Sequence, residues 1–264
     1  MAGSIEDNAA LYKKKTFAYV QPTPPAELIE STTYTLDFTN RKFVHIGIDP
    51  TEHFQVAIHL LTSSRHVNIS PDFLKRIFSM MGHILSFILD TPQKCKRFIF
   101  LETESHKISS MVYGGENVLV IESKTHKGCR VLVNRADLIS LQYLEWCIFE
   151  TVTRKSTITQ PVVLKQFDMF SNYINVEFHK LNSPPKTTAE MITFVKNLHD
   201  DTIISNMPKN DVNHISQIKM YASTQLVKHW EKCFIRPMSP ELLISPLSPP
   251  TPLSPPPHFY CIGS

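Results

Sequence analysis

The sequence predicts an α+β fold in which two β-β-β-β-α units form a pseudo-twofold domain. Segments of alternating polar and apolar residues are typical of half-buried strands, and an amphipathic helix follows each set of four. The whole pattern recurs 64 positions later, so that residues 32–90 align with 96–154 without a gap, although few residues are identical. Solenoids and propellers need three or more repeats, so two copies favour a pseudo-twofold domain.

The strands of the first unit are predicted from their alternation. In the third strand, Val56, Ile58 and Leu60 alternate with polar or small residues. The four predicted strands are 32–38, 42–48, 54–61 and 66–69. In the second copy, Gly114-Gly115 provides a hairpin turn.

A helix is predicted directly after the fourth strand of each unit. Ser70 is a favoured N-cap residue, Pro71 suits the first helical position, and Asp72 lies in the first turn, where acidic side chains are preferred. In the second copy Asn134 takes the N-cap position and Asp137 lies in the first turn. The two predicted helices span 71–88 and 135–152, each with a broad apolar face.

The rest of the chain is predicted to flank these units. The predicted regions are a disordered basic leader (1–29), the two units (30–92 and 93–155), a helical extension (156–235) and a disordered Pro-rich tail (236–264). Within the extension, helices are predicted over 161–178 with Thr159 as cap, from a Thr187/Glu190 capping box to 199, and over 211–233. A strand pair is the alternative for 161–178, because Val162-Val163 and 174–178 are β-prone.

The Pro-rich tail carries repeated Ser-Pro and Thr-Pro steps. Such a segment suits an SH3 or WW groove or a proline-directed kinase, and the alternative is a tail without a partner. Cys261 begins an outline of a prenylation box, but Gly263 is not aliphatic and no polybasic stretch precedes the cysteine.

Composition limits the class of protein. With 27 basic and 24 acidic residues the net charge is +3, which permits an anionic partner without requiring one. The five cysteines are odd in number and form no CxxC pair, which indicates a reducing compartment. No apolar run reaches the ~20 residues of a membrane span, and no signal-peptide core begins the chain. We therefore expect a nuclear or cytoplasmic protein.

Catalytic motifs are missing from the sequence. There is no glycine-rich phosphate loop, no histidine or cysteine at metal-ligand spacing, and no serine in a nucleophile elbow. His59 and His66 are expected to be surface residues of the sheet. The sequence therefore favours a protein without enzymatic activity, cofactor or metal.

The predicted sheets offer a binding surface instead. A curved antiparallel sheet with basic and aromatic residues on its open face can hold the backbone of a single strand and stack its bases. The basic candidates are Arg41, Lys42, Arg65, His66, Lys107, Lys124, Lys127 and Arg130. The candidate stacking rings are Tyr34, Phe43, Phe54, Phe98 and Tyr113, which are core residues in the alternative interpretation.

The segment from Arg65 to Leu74 resembles the strand–helix junction of the transcriptional positive cofactor four family. Its sequence Arg-His-Val-Asn-Ile-Ser-Pro-Asp-Phe-Leu has a basic loop, a short apolar strand, a polar-Pro-acid cap and an aromatic helix residue in that order. Residues 126–134 carry a weaker version, and two such units in one chain also resemble the Whirly proteins, although the Lys-Gly-Lys-Ala signature is absent. The resemblance covers about 30–155. It implies that single-stranded DNA binds on the sheets and that the helices form the interface between the units. The DNA-binding role is best matched at Arg65, Lys127 and Arg130 of the basic loops.

The expected function is therefore non-enzymatic binding of single-stranded DNA or RNA, in a role related to transcription. The alternative is an assembly or scaffold protein, in which the sheets form a homo-oligomer and the tail recruits partners. Surface charge and the effect of replacing Arg65, Lys127 and Arg130 distinguish the two hypotheses.

Overall fold

The protein contains two four-stranded antiparallel sheets, each followed by helices, and a further helical region toward the C-terminus. The computed structural model describes residues 23–92, 97–199, 201–205, 207 and 212–235. Most of the predicted leader, part of the linker between the units, and the Pro-rich tail with Cys261 lie outside these residues. The mixed α+β class and the two strand sets are confirmed.

The two sheets have the same strand order. The first consists of β1 (Ile29–Asp37), β2 (Lys42–Asp49), β3 (Gln55–Leu61) and β4 (His66–Ile69), in the order β1-β2-β3-β4. The second consists of β5 (Ile99–Glu102), β6 (His106–Tyr113), β7 (Glu116–Ser123) and β8 (Arg130–Val133), in the order β5-β6-β7-β8. β2 and β4 correspond to β6 and β8 at an offset of 64 residues, as the sequence predicts.

Each sheet has an apolar inner face. Ile58 of β3 lies between Ile46 and Ile69 on the neighbouring strands, and all three side chains are buried. The inner faces of both sheets and the helices that follow them share one hydrophobic core. On the outer face of the first sheet, His59 lies between His45 and Asn68.

The predicted N-caps at Ser70 and Asn134 are confirmed. Ser70 accepts a hydrogen bond from the backbone N–H of Phe73 at 3.2 Å, and Asn134 forms a reciprocal capping box with Asp137. The prediction of one long helix after each sheet is wrong. The structure has α1 (Pro71–Ser79) and α2 (Met81–Leu89) in the first unit, and α3 (Arg135–Tyr143) and α4 (Glu145–Arg154) in the second.

The helices break at Met80 and at Leu144, which again are 64 residues apart. The break allows the two halves to cover different surfaces. α1 packs on β3 of its own sheet, whereas α2 packs on β7 of the other unit. In return, α3 contacts β1 and α4 contacts β2. Each sheet is thus covered partly by helices of the other unit.

Tyr34 of β1 contacts α4 across this boundary. Its hydroxyl lies 2.6 Å from the Thr151 hydroxyl and donates to the Cys147 carbonyl at 3.0 Å. The residues 64 positions from Tyr34 and Thr151 make the reverse contact, because Phe98 stacks on Phe87 with ring centroids 5.5 Å apart. The contact is repeated with the two units exchanged.

A second contact is exchanged in the same way. Lys42 binds the buried carboxylate of Asp137 at 2.5 Å. The residues at the same offset are His106 and Phe73, whose rings lie 4.8 Å apart. The pairing of positions is kept, although the chemistry differs.

The C-terminal region is helical. Its elements are a π-helical segment (Lys155–Thr159), α5 (Gln160–Phe178), α6 (Thr188–Asn197), α7 (Asp201–Ser205), α8 (Ile215–Tyr221), α9 (Ser223–Trp230) and a second π-helical segment (Glu231–Ile235). The helix at 161–178 and the Thr187/Glu190 capping box are confirmed, and the strand-pair alternative is wrong. The predicted cap at Thr159 is also wrong, because helical backbone continues from α4 through Thr159 into α5. The predicted last helix is divided at Ala222.

This region has its own hydrophobic core, which extends to the first sheet. Ile48 and Phe54 belong to it, and the Phe54 ring lies 4.8 Å from Phe167 of α5. Lys155 reaches β1 and binds Glu30. The helical region therefore packs against the first unit at the end of β2.

Candidate nucleic-acid interface

The outer face of the first sheet is partly covered by the segment that precedes β1. Leu28 of this segment is buried. A Cβ atom at Gly47 would lie 2.7 Å from Leu28 Cβ and 3.1 Å from the Ile29 carbonyl, so the segment approaches β2 where only glycine fits. Residues 23–26 continue over this face. The open sheet face predicted for the first unit is therefore only partly open.

The predicted stacking rings occupy different environments. Phe54 is buried and Tyr34 packs against α4, so neither is available to stack a base. Phe43 is half-buried on the outer face of the first sheet, in a row with Leu61 and His66. In the second unit Phe98 contacts Phe87, and Tyr113 is exposed. Among these rings, Phe43 is nearest in the sheet register to His66 of β4.

Several predicted basic residues have acidic partners. Lys42 forms an ion pair with Asp137, so this contact explains the position of Lys42 without a bound nucleic acid. Lys124 and Lys107 both pair with Glu102, with N–O distances of 3.0 and 3.6 Å. These contacts also lower the pKa of the Glu102 carboxyl, mainly through its bond with Lys124. Two of the predicted basic residues on the outer face of the second sheet thus share one carboxylate, which offsets part of their charge.

A further ion pair on this face involves Arg97, which was not predicted as a site residue. It binds Glu122 at 2.9 Å on the outer face of the second sheet. Arg41 is exposed in the β1–β2 turn, away from β4.

The remaining predicted residues come together. The β3–β4 loop of the first unit meets the β7–β8 loop of the second: Arg65 Nη1 donates to the Gly128 carbonyl at 2.8 Å, and His66 Nε2 lies 3.6 Å from Cys129 Sγ. Lys127 is exposed just before this contact and Arg130 just after it. We call Arg65, His66, His126, Lys127 and Arg130 the junction cluster.

A cavity of about 500 Å³ lies beside the junction cluster. Its floor is the outer face of the first sheet, and residues 23–26 and the β7–β8 loop form its walls. The lining side chains with hydrogen-bonding groups include Asp49, His59, His66, Asn68, Lys127 and Cys129.

His59 is buried, which contradicts the expectation of a surface histidine. Only 2 % of it is exposed, and burial lowers its pKa to about 4, against a smaller opposing effect of the Asp49 carboxylate. Burial also lowers the pKa values of His66 and His106, with a further contribution from nearby His126. These imidazoles are therefore neutral near pH 7.

His106 belongs to the same junction although it was not predicted. Its Nε2 donates to the backbone carbonyl of Asn68 at 2.6 Å, which connects β6 to β4. His126 was also missed, although it lies within the basic loop that the sequence singled out.

Within the described parts of the chain, no three His, Cys, Asp or Glu side chains are arranged to hold a metal ion. No helix among them is long and apolar enough to cross a bilayer.

Comparison with known proteins found no matching family model, no matching curated protein and no matching solved structure.

Proposed function

We propose that this chain is a non-enzymatic protein that binds single-stranded nucleic acid at the junction cluster. The observation that carries the proposal is the contact between Arg65 and Gly128, because it joins two basic loops that are distant in sequence. Cations from both units then act on one stretch of polyanion. The binding site then lies at the boundary between the units and not on the open sheet faces.

The electrostatic state of the cluster supports this location. No Asp or Glu of the described residues lies within ion-pair distance of Lys127 or Arg130, in contrast to Lys107 and Lys124. Exposed cations without carboxylate partners attract phosphate groups and release counterions from the strand. The cluster is therefore the better candidate for backbone contacts.

Phe43 provides a stacking surface for the same strand. It is two strands from His66 across the outer face, roughly 10 Å at the usual spacing of strands. Base–aromatic stacking contributes about 1–3 kcal/mol per base and tolerates different sequences. A strand held at Arg65 can thus place a base on Phe43.

We further propose that the two units are related by a pseudo-twofold axis near β4 and β8. The support is the exchange of contacts described above, in which Tyr34–Thr151 is matched by Phe98–Phe87. In an interface with twofold symmetry, a contact from position i to position j is repeated from j to i. The axis places both basic loops on one side of the domain.

The test is fluorescence anisotropy with labelled single- and double-stranded oligonucleotides over a range of salt concentrations. We expect preference for single strands. Replacing Arg65, Lys127 and Arg130 by alanine should weaken binding and reduce the salt slope by roughly 2, since each phosphate contact contributes about 0.7.

The matched control removes three exposed cations from the helical region, Lys186, Lys196 and Lys228. It has the same net charge as the first triple variant, so it should keep the affinity and slope of the wild type. Equal losses in the two triple variants, or no binding by the wild type, would contradict the proposal.

A second candidate function, assembly with another protein, is favoured by one observation. Tyr143 and Trp146 are 83 % and 85 % exposed at the break between α3 and α4. Tyrosine and tryptophan are enriched among residues that dominate protein–protein binding. Sedimentation velocity over a range of concentrations tests for self-association, which replacing both residues by serine should abolish. If the protein sediments as a monomer at every concentration, it does not assemble by self-association.

A further inference from the structure

The cavity beside the junction cluster contains polar side chains without partners. No hydrogen bond from any other residue reaches the imidazole of His59 or the side-chain amide of Asn68 among the contacts of the described chain. The two residues lie opposite each other on β3 and β4, on the same face. The polar groups of both side chains line the cavity, where they can form hydrogen bonds with a ligand.

These groups present a mixed set of donors and acceptors. The neutral imidazole of His59 offers one N–H donor and one acceptor nitrogen, and the Asn68 amide offers two donors and an acceptor oxygen. Such an array matches the edge of a nucleobase, which carries donors and acceptors side by side. It suits a neutral heteroaromatic ring better than a simple anion.

The charges of the cavity differ between its walls. The carboxylate of Asp49 is buried at the end of β2, where Oδ1 accepts hydrogen bonds from the Thr51 backbone and hydroxyl. Glu52 follows in the next turn. Lys127 and His126 come from the opposite element, the β7–β8 loop. A phosphate is therefore favoured at the loop, and repelled near Asp49.

The volume agrees with a small organic ligand. About 500 Å³ is within the range of roughly 300–1,000 Å³ that is usual for such sites. We propose that the cavity binds one nucleotide of the strand, with its base against His59 and Asn68 and its phosphate at Lys127. This inference rests on the proposed function and adds base recognition to it.

The test has two arms, so that the cavity and the strand-binding surface are assessed separately. In the first, isothermal titration calorimetry measures binding of each of the four nucleoside 5′-monophosphates to the full chain. In the second, anisotropy compares homopolymeric single strands of equal length. We expect the wild type to prefer one base in both arms, by about tenfold, which corresponds to one well-placed pair of hydrogen bonds.

The variants are Asn68→Ala, Asn68→Asp and, as a control in the neighbouring loop, Ser63→Ala. Asn68→Ala should reduce the base preference to less than about threefold in both arms without changing the salt slope of strand binding. Asn68→Asp should change which base is preferred, because it replaces a donor by an acceptor. Ser63 is exposed and outside the cavity lining, so its replacement should leave both arms unchanged.

The outcomes separate the two proposals. Strand binding without base preference and without nucleotide binding would overturn the cavity assignment and leave the proposed function standing. Nucleotide binding that depends on Asn68, without binding of any strand, would support the cavity and overturn the proposed function. A base preference that persists in Asn68→Ala would also overturn the assignment.

Discussion

Lys155 is fully buried and its ammonium group binds both the carboxylate and the backbone carbonyl of Glu30. Glu30 lies at an irregularity of β1 with φ of 51°, and its N–H donates to Gln217 Oε1 at 2.7 Å. One residue of the first sheet thus contacts both the π-helical segment and α8. Glu30 is a central point of attachment between the sheet and the helical region.

Replacing Glu30 by alanine should destabilise the protein strongly. The variant leaves the Lys155 ammonium buried without its carboxylate, which costs about 3–5 kcal/mol. Lys155→Met should cost much less, because Glu30 is partly exposed and can be hydrated. Urea unfolding measures both. Glu177→Ala, which breaks an exposed pair with Lys180, is the control and should cost less than about 1 kcal/mol. Equal losses of unfolding free energy in Glu30→Ala and Lys155→Met would contradict this account.

Adding a methyl group at Gly47 should destabilise the fold. A Cβ atom there meets the backbone carbonyl of Ile29 and Leu28 Cβ, so the segment preceding β1 has to move. Overpacking of this kind costs roughly 1–3 kcal/mol. In the same unit, Gly82 of α2 has no atom within 4 Å of its Cβ position, and Gly82→Ala should stabilise by about 0.5–1 kcal/mol. Thermal unfolding of the two variants should therefore give shifts of opposite sign.

Stability should decrease as the pH falls from about 7 toward 4. The pKa of His59 is lowered to about 4 in the folded protein from the ordinary value of 6.5, so the unfolded chain binds a proton in this range while the folded chain does not. His59 alone contributes about 3 kcal/mol to this decrease, at roughly 1.4 kcal/mol per pKa unit. The urea midpoint of His59→Gln should change less between pH 7 and pH 4 than that of the wild type. An identical pH profile for the variant would show that His59 does not carry the effect.

Lys42 should matter for stability and not for nucleic-acid binding. Its partner Asp137 is fully buried, and Asp137 Oδ2 also accepts the N–H of Asn134. Lys42→Met leaves this carboxylate with less compensation and should lower the free energy of unfolding by several kcal/mol, of the order found for broken buried pairs. Anisotropy under conditions where the variant is folded should give the wild-type affinity. A loss of affinity without loss of stability would place Lys42 in the interface instead.

Local signals predicted the strands of both units and the starts of the helices that follow them. The alternation in β3 and the caps at Ser70 and Asn134 depend on neighbouring residues alone, so the sequence determines them directly. The break at Met80 depends on which surface each half of the helix covers. Since that surface belongs to the other unit, the break cannot be found from helical spacing.

The candidate site was predicted in part for the same reason. The basic loops at Arg65 and Lys127 were recognised, but their contact requires the packing of the two units. Lys42 was predicted to bind nucleic acid because it is basic. It instead forms an ion pair with Asp137, which is 95 positions away. His59 alternates as a polar residue on a strand, and its burial depends on residues distant in sequence that lie over the outer face.

The reciprocal packing of helices on sheets has a consequence for how this protein can diverge. Two separate identical subunits would have to carry every surface feature twice, and any change in one would appear in both. Joining the halves in one polypeptide removes that constraint. The single chain can therefore keep a histidine-lined recess where the two halves meet and present Trp146 to solvent elsewhere, so one molecule can acquire two unlike surfaces without losing the shared interior that both halves need.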